Sequence, residues 1–139
     1  MKAMSVRFSR REASEWWRSA LVDLEVAERM LDQGYFNYAA FLSHQAVEKA
    51  LRALIIERLR VLPPKIHNLV ELASALRDAG VDVGEVLDDI KDLNPHYLTS
   101  RYPDAANGVP SEIYTRRVAA QCLTMARRVL SWAERLLSA

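Results

Sequence analysis

The chain has 139 residues, half of them hydrophobic, and we expect residues 1–139 to form one compact domain with its own core. Its 19 basic and 18 acidic side chains give a net charge of only +1, so no bulk field favours DNA or a membrane surface. No apolar run approaches the length of about 18 residues that spans a bilayer, and the first 11 residues lack the apolar centre of a signal peptide, so we expect a cytoplasmic protein.

Two long helices are predicted in the first half of the chain. From Glu12 to Gln33 apolar residues recur at steps of three and four, the spacing of one helical face, and Gly34 stops this helix. A second helix is predicted from about Phe36 to Leu62, with one apolar stripe, until Pro63-Pro64 ends it. The two helices should form an antiparallel hairpin.

Two shorter helices are predicted in the middle of the chain. Asn68 can cap the third helix, and Gly80 supplies a residue that ends it. A fourth segment runs from Val86 to Leu93, before Asn94-Pro95 interrupts it. Residues 68–100 carry seven acidic and two basic side chains, whereas both flanks are basic, which predicts a polarised surface if the flanks meet in space.

The last part of the chain predicts one long loop and one long helix. The loop runs from Leu98 to Pro110, and Ser111 can cap a helix that continues to about Leu137. Two adjacent apolar rows on this helix make a wide face, which suits either two helices of its own bundle or one helix and a second subunit. We favour a homodimer. The predicted architecture is all-α, an up-and-down bundle of about five helices.

A first candidate site lies on the second helix, where His44 and Glu48 are four residues apart and therefore share a face. Such a pair could orient a proton shuttle or supply two metal ligands, but the sequence marks no third ligand, so no metal site is predicted. Lys49 and Arg52 could line the same pocket. The structural alternative makes His44 and Glu48 hydrogen-bonded partners within the bundle and leaves Lys49 and Arg52 in solvent.

A second candidate site is the loop that carries His96, Tyr97, Arg101, Tyr102 and Asp104. Arg101 can bind a phosphate with two parallel hydrogen bonds, while Tyr97 or Tyr102 can stack on a base. This combination suits a nucleotide or single-stranded RNA. The structural alternative pairs Arg101 with Asp104 to brace the loop and packs the tyrosines against helix ends.

Two further features have weaker functional interpretations. The last helix carries a basic row that could follow a phosphate backbone, although no aromatic residues are interleaved with it and a solvated surface is the better interpretation: Arg116, Arg117, Arg127, Arg128 and Arg135. Cys122 is the only cysteine and lies on the apolar stripe, which excludes an internal disulfide and argues against covalent catalysis. No cofactor is predicted.

Several segments, in order along the chain, resemble HEPN domains. They correspond to the family's first helical hairpin, its inter-helix link, its characteristic loop and its terminal helix: residues 23–35 and 39–51, residues 63–69, residues 93–104, and the helix that contains Trp132. HEPN domains are five-helix, commonly dimeric bundles, and many prokaryotic members are encoded beside a minimal nucleotidyltransferase in toxin–antitoxin or nucleotide-transfer systems. The resemblance therefore implies such a partner.

The chain departs from the family's ribonuclease members at one motif. Those members carry an arginine, four to six intervening residues and a histidine near the start of the last helix. Counted from Arg101, the histidine would fall at Ala106, Asn107 or Gly108, and no histidine follows His96. The resemblance thus implies that the family's ribonuclease centre is absent here, and only a rearranged pair of His96 and Arg101 is left open.

Three functions remain from the sequence. The leading hypothesis is a non-catalytic module that binds a nucleotide or RNA beside its partner, with Arg101 and Tyr102 gripping the ligand and a pocket lined by the polar residues of the second helix, His44, Glu48, Lys49 and Arg52. A metal-independent endoribonuclease toxin that uses His96 or His44 with Arg101 is the alternative. A structural homodimer without its own ligand is the third.

Overall fold

Residues 6–138 are described by the computed structural model, and within this range the chain is helical without strands. Five helices have seven or more residues: α1 Arg11–Gln33, α2 Phe36–Leu54, α3 Leu69–Asp78, α4 Leu87–Leu93 and α8 Arg116–Ser138. Three four-residue helical turns lie between α4 and α8: α5 His96–Thr99, α6 Pro103–Ala106 and α7 Pro110–Ile113. The predicted all-α bundle is confirmed. The signal-peptide prediction concerns residues 1–11, of which 1–5 lie outside the described range.

The α1–α2 hairpin is closed by Gly34, as predicted. Gly34 adopts the left-handed conformation with φ 86°, and its N–H and that of Tyr35 donate to the carbonyls of Leu31 and Met30. Along α1 the fully buried alanines stand seven residues apart, at positions 13, 20 and 27. Small side chains at this spacing let α2 approach α1 closely along its length.

Helix α2 lies at the centre of the bundle and contacts α1, α3, α5 and α8. It is buried over most of its surface, with Tyr38 as its exposed residue, and not along a single apolar stripe as predicted, because neighbours cover its polar positions too. Ser43, Glu48 and Arg52 are all buried. Polar groups in such a helix must find partners within the protein, which explains the hydrogen-bond network described below.

The prediction that α2 extends to Leu62 was wrong. The α-helix gives way to one π-helical turn, Ile55–Leu59, and the chain leaves the helix at Arg60 in the left-handed conformation with φ 59°. A proline disfavours helical geometry in the residue before it, so the helix must end before Leu62. Within this turn Glu57 accepts hydrogen bonds from the backbone N–H groups of Ser9 and Arg10 at 3.0 and 3.3 Å, next to the first turn of α1.

Helices α3 and α4 begin and end close to the predicted positions. The Asn68 side chain accepts hydrogen bonds from the N–H groups of Val70 and Glu71 at 3.0 and 3.1 Å, which confirms the predicted cap. Asn94 then accepts from the N–H of Leu69 at 2.8 Å. The end of α4 is thereby tied to the start of α3.

The start of the last helix differs from the prediction. Ser111 lies inside α7 and caps nothing, whereas Tyr114 is extended with ψ 129° and the Thr115 hydroxyl accepts from the N–H of Val118 at 3.2 Å. The predicted loop 98–110 is also not structureless, since Pro103 and Pro110 each occupy the first position of a short helical turn, where no N–H is needed. These turns fix the positions of the side chains around Arg101.

The wide apolar face of α8 is used within the bundle. Helix α8 packs against α1, α2 and α4, and residues of both rows are buried, including Cys122, Leu123, Trp132 and Ala133. The width therefore reflects several neighbours in the same chain, and this face gives the predicted homodimer no support. Burial raises the pKa of the Cys122 thiol to about 12, so it is a poor nucleophile. In the range 6–138 no helix combines the length and apolarity that crossing a membrane requires.

Candidate functional site

The guanidinium group of Arg101 sits among three aromatic rings. Its central carbon lies 4.3 Å from the ring centre of Phe41, 4.4 Å from that of Tyr97 and 4.8 Å from that of Tyr102. Its Nε donates to the Tyr97 carbonyl at 3.0 Å. Each cation–π contact contributes about 0.5–1 kcal/mol or more as water is excluded. We call these four residues the arginine cage.

The charge of Arg101 has no carboxylate partner within residues 6–138. Asp104, its predicted structural partner, is exposed and accepts the N–H of Ala105 at 3.0 Å, so the brace expected between Arg101 and Asp104 does not form. The Nη2 of Arg101 is buried without a hydrogen-bond partner. An unmet buried donor costs about 1–3 kcal/mol, and an anionic oxygen would recover that cost.

Tyr97 contacts two other residues of the site. His67 stacks on the ring at 4.4 Å between centres with an interplanar angle of 12°, and the Arg101 guanidinium is also 4.4 Å from the ring centre. These contacts leave Tyr97 less available to a base than Tyr102, which is 45% exposed.

A buried carboxylate positions His67. Glu48 is 4% exposed, and its oxygens accept from Arg52 Nε at 3.2 Å and lie 3.0 Å from His67 Nδ1. Arg52 is also buried, and its terminal nitrogens donate to the carbonyls of Pro64 and Ile66. The expectation that Arg52 points into solvent was wrong, because the segment between α2 and α3 folds back over it.

His44 is fully buried but does not pair with Glu48. Its Nδ1 lies 3.2 Å from Gln45 Oε1, its Nε2 has no partner, and its ring centre is 5.3 Å from that of Tyr97. Burial, aided by the nearby histidines, lowers the pKa of His44 to about 4, so the ring is neutral at pH 7. His44 and Glu48 therefore form neither the possible proton shuttle nor the structural pair that the sequence left open, since Arg52 and His67 occupy the carboxylate. Within residues 6–138 no group of three or more His, Cys, Asp or Glu side chains could hold a metal ion.

The depressed pKa of His44 makes folding stability depend on pH. Well above pH 6.5 the ring is neutral in both the folded and the unfolded state. Between pH 6.5 and about 4 the unfolded chain binds a proton and the folded protein does not, so the free energy of unfolding decreases as the pH is lowered. We expect a loss of up to about 3 kcal/mol across this window. Urea unfolding of the wild type and His44→Gln at pH 7.0 and 4.5 measures it. The variant should lose clearly less stability over that interval, and equal losses would contradict the assignment to His44.

Two predicted site residues lie apart from the arginine cage. Lys49 faces α1, where its Nζ is 2.8 Å from Asp23 Oδ2 and 2.9 Å from Ser19 Oγ. His96 Nδ1 is 2.6 Å from the Tyr114 hydroxyl, and burial lowers the pKa of His96. His96 lines an open cleft of about 720 Å³ between α4 and α8. The residues that the sequence proposes as ligand-binding thus do not form one site. Lys49 lies against α1, His96 lies in the cleft between α4 and α8, and Arg101 lies in the arginine cage.

Three of the five arginines in the basic row of α8 form intramolecular ion pairs. Arg128 binds Asp89 through two nitrogens at 2.9 and 2.7 Å, and Arg135 pairs with Glu85. Arg127 pairs with Glu28 of α1 at 3.1 Å. These three arginines brace α8 against its neighbours, and their paired charges are less available to a phosphate backbone.

Sequence reasoning missed Phe41 and His67 as site residues. Phe41 precedes His44 by one helical turn, and that spacing could have placed both on the face that meets the loop. His67 lies in the link before α3, and nothing near it in sequence indicates that it reaches back to Glu48. Its role depends on tertiary contacts.

Comparison with known proteins gives a consistent result. The family model described as HEPN domain matches residues 13–136. The chain is 29% identical over 131 residues to "Putative toxin MJ1304" from Methanocaldococcus jannaschii, covering 88% of this chain and 86% of that protein. The structure of the present chain is similar to that of TT1696 from Thermus thermophilus, with a TM-score of 0.82, 28% identity and coverage of 91% of this chain and 98% of that one. It is also similar to ST0689, an archaeal HEPN homologue, with a TM-score of 0.74, 30% identity and coverage of 92% and 99%.

Proposed function

The chain belongs to the HEPN domain family, and on that premise we propose that it is a non-catalytic module that binds a nucleotide or single-stranded RNA at the arginine cage. The observation that carries this proposal is the unneutralised Arg101, whose buried Nη2 has no acceptor within the described chain. A phosphate oxygen supplies both the missing acceptor and the missing negative charge. The exposed ring of Tyr102 beside it gives a base a surface to stack on.

The absence of the family's ribonuclease motif supports a binding role without catalysis. The positions where the histidine would fall carry Ala106, Asn107 and Gly108, and Asn107 ends α6 in the left-handed conformation with φ 60°. His96 Nδ1 bonds the Tyr114 hydroxyl, and within residues 6–138 no hydrogen bond joins His96 to Arg101, which favours binding over a rearranged catalytic pair.

The relatives support a proposal for the biological setting. Membership of the family supports a minimal nucleotidyltransferase as partner, and the Methanocaldococcus jannaschii relative, whose name includes the word toxin, supports a toxin–antitoxin system. Three exposed apolar side chains between α4 and α8, Leu98, Val109 and Ile113, offer such a partner or a second copy of the chain a surface to cover. Light scattering after size exclusion, with and without a co-expressed nucleotidyltransferase, distinguishes the monomer, the homodimer and the complex.

Isothermal titration tests the binding role. The purified protein is titrated with ATP, with other nucleotides and with a short single-stranded RNA, and the RNA is then examined on a gel. We expect saturable binding with intact RNA. Cleaved RNA would instead favour the endoribonuclease alternative, and neither binding nor cleavage would favour a structural homodimer that acts only through its partner.

A further inference from the structure

A continuous line of stacking contacts runs through the site. His67 stacks on Tyr97, the Arg101 guanidinium lies 4.4 Å from the ring centre of Tyr97, and Tyr102 lies against Arg101. We call these four residues the aromatic column. His67 and Tyr102 make no ring contact with each other within residues 6–138, so they are the two ends of this chain of contacts.

Both ends of the column are open to solvent. The His67 side chain is 50% exposed, and Tyr102 is 45% exposed. Each ring is also held in place, His67 by the buried carboxylate of Glu48 and Tyr102 by the guanidinium of Arg101. A flat ring that is fixed on one side and open on the other gives a base a stacking surface with little loss of side-chain entropy.

Positive charge accompanies these two rings. Arg101 lies inside the column, and Lys65, two residues before His67, is exposed and makes no ion pair within residues 6–138. The acidic group nearest to His67, Glu48, is buried and already shared between Arg52 and His67. A strand can therefore place phosphates near Lys65 and Arg101, and Asp104, two residues after Tyr102, is the exposed carboxylate that lies close in sequence to that path.

We propose that the aromatic column binds an extended single strand, with one base stacked on His67 and a second, separate base on Tyr102. This rests on the proposed function and narrows its ligand. A mononucleotide has one base and can cover only one end. Consecutive bases of a strand stack about 3.4 Å apart, so two bases separated by the whole column must be splayed and belong to a segment of about three or four nucleotides.

Fluorescence anisotropy with 5′-labelled oligouridylates of two, four and six nucleotides, with unlabelled UMP as competitor, tests the proposal. The tetranucleotide should bind at least about tenfold more tightly than UMP. His67→Ala and Tyr102→Ala should each weaken tetranucleotide binding by about 5- to 100-fold, the effect of losing one stacked base. His67→Phe and Tyr102→Phe keep a ring and should retain most of the affinity.

Tyr35→Ala is the matched control, because Tyr35 is 56% exposed but lies at the turn between α1 and α2. It should leave binding unchanged. Equal affinity for UMP and the tetranucleotide would overturn the extended-strand proposal while leaving nucleotide binding intact. Phenylalanine variants that fold normally by circular dichroism but bind as weakly as the alanine variants would refute stacking. If the wild type binds no oligonucleotide or nucleotide at all, the proposed function falls as well.

Discussion

Replacing Arg52 with methionine is expected to lower the free energy of unfolding by about 3–5 kcal/mol, the usual cost of breaking a buried ion pair from one side. The change keeps the volume of the side chain but removes the partner of the buried Glu48 carboxylate. It also leaves the carbonyls of Pro64 and Ile66 without their donor. Urea unfolding at pH 7 measures the effect.

Two comparisons separate the buried pair from charge in general. Arg29→Met removes the exposed pair with Glu25, whose side chains are 71% and 62% accessible, and should cost at most about 1 kcal/mol. The double change Glu48→Leu and Arg52→Met removes both charges and should recover much of the loss. If Arg52→Met costs no more than Arg29→Met, the network is not holding the link between α2 and α3.

Arg101→Ala is expected to weaken binding of a nucleotide or short RNA by about 10- to 150-fold, the loss that accompanies a hydrogen bond to a charged group. Arg101→Lys keeps the charge but not the planar fork that fits between the rings of Phe41, Tyr97 and Tyr102, so it should restore little affinity. Isothermal titration at fixed salt measures both.

The control for Arg101 is Arg117→Ala. Arg117 lies on α8 and, like Arg101, has no ion-pair partner in residues 6–138, yet it is remote in sequence from the cage. Its removal should leave the affinity within about twofold, since it changes only the overall charge. Equal losses in the two alanine variants would mean that the ligand responds to net charge and not to a defined site.

The helices could be predicted where single residues determine their ends. Gly34, Asn68 and Gly80 act through their own backbone freedom or side chains, and the structure confirms all three. The end of α2 could not be placed, because a π-helical turn and a left-handed Arg60 depend on how the segment packs. The start of α8 was misplaced for a similar reason: Tyr114 is held extended while its hydroxyl meets His96.

The site was only partly visible in the sequence. Arg101 and Tyr102 are adjacent in sequence, so their chemistry could be recognised together, and the structure places them in contact. His67 reaches the site because it stacks on Tyr97 and is held by Glu48, which lies 19 residues earlier in the chain. No local sequence pattern indicates these contacts. Conversely, Lys49 follows Glu48 in sequence but points to the other side of the helix, since consecutive helical residues do not share a face.

The central position of α2 also determines the order in which the domain can be completed during synthesis. Helices α1 and α2 are neighbours in sequence and can pair as soon as both leave the ribosome, but α8, which covers another side of α2, is made last of the helices described. Until then, Val47, Leu51 and Leu54 have only part of their final neighbours. The nascent hairpin thus exposes an apolar helix face to solvent for the time needed to translate the intervening residues.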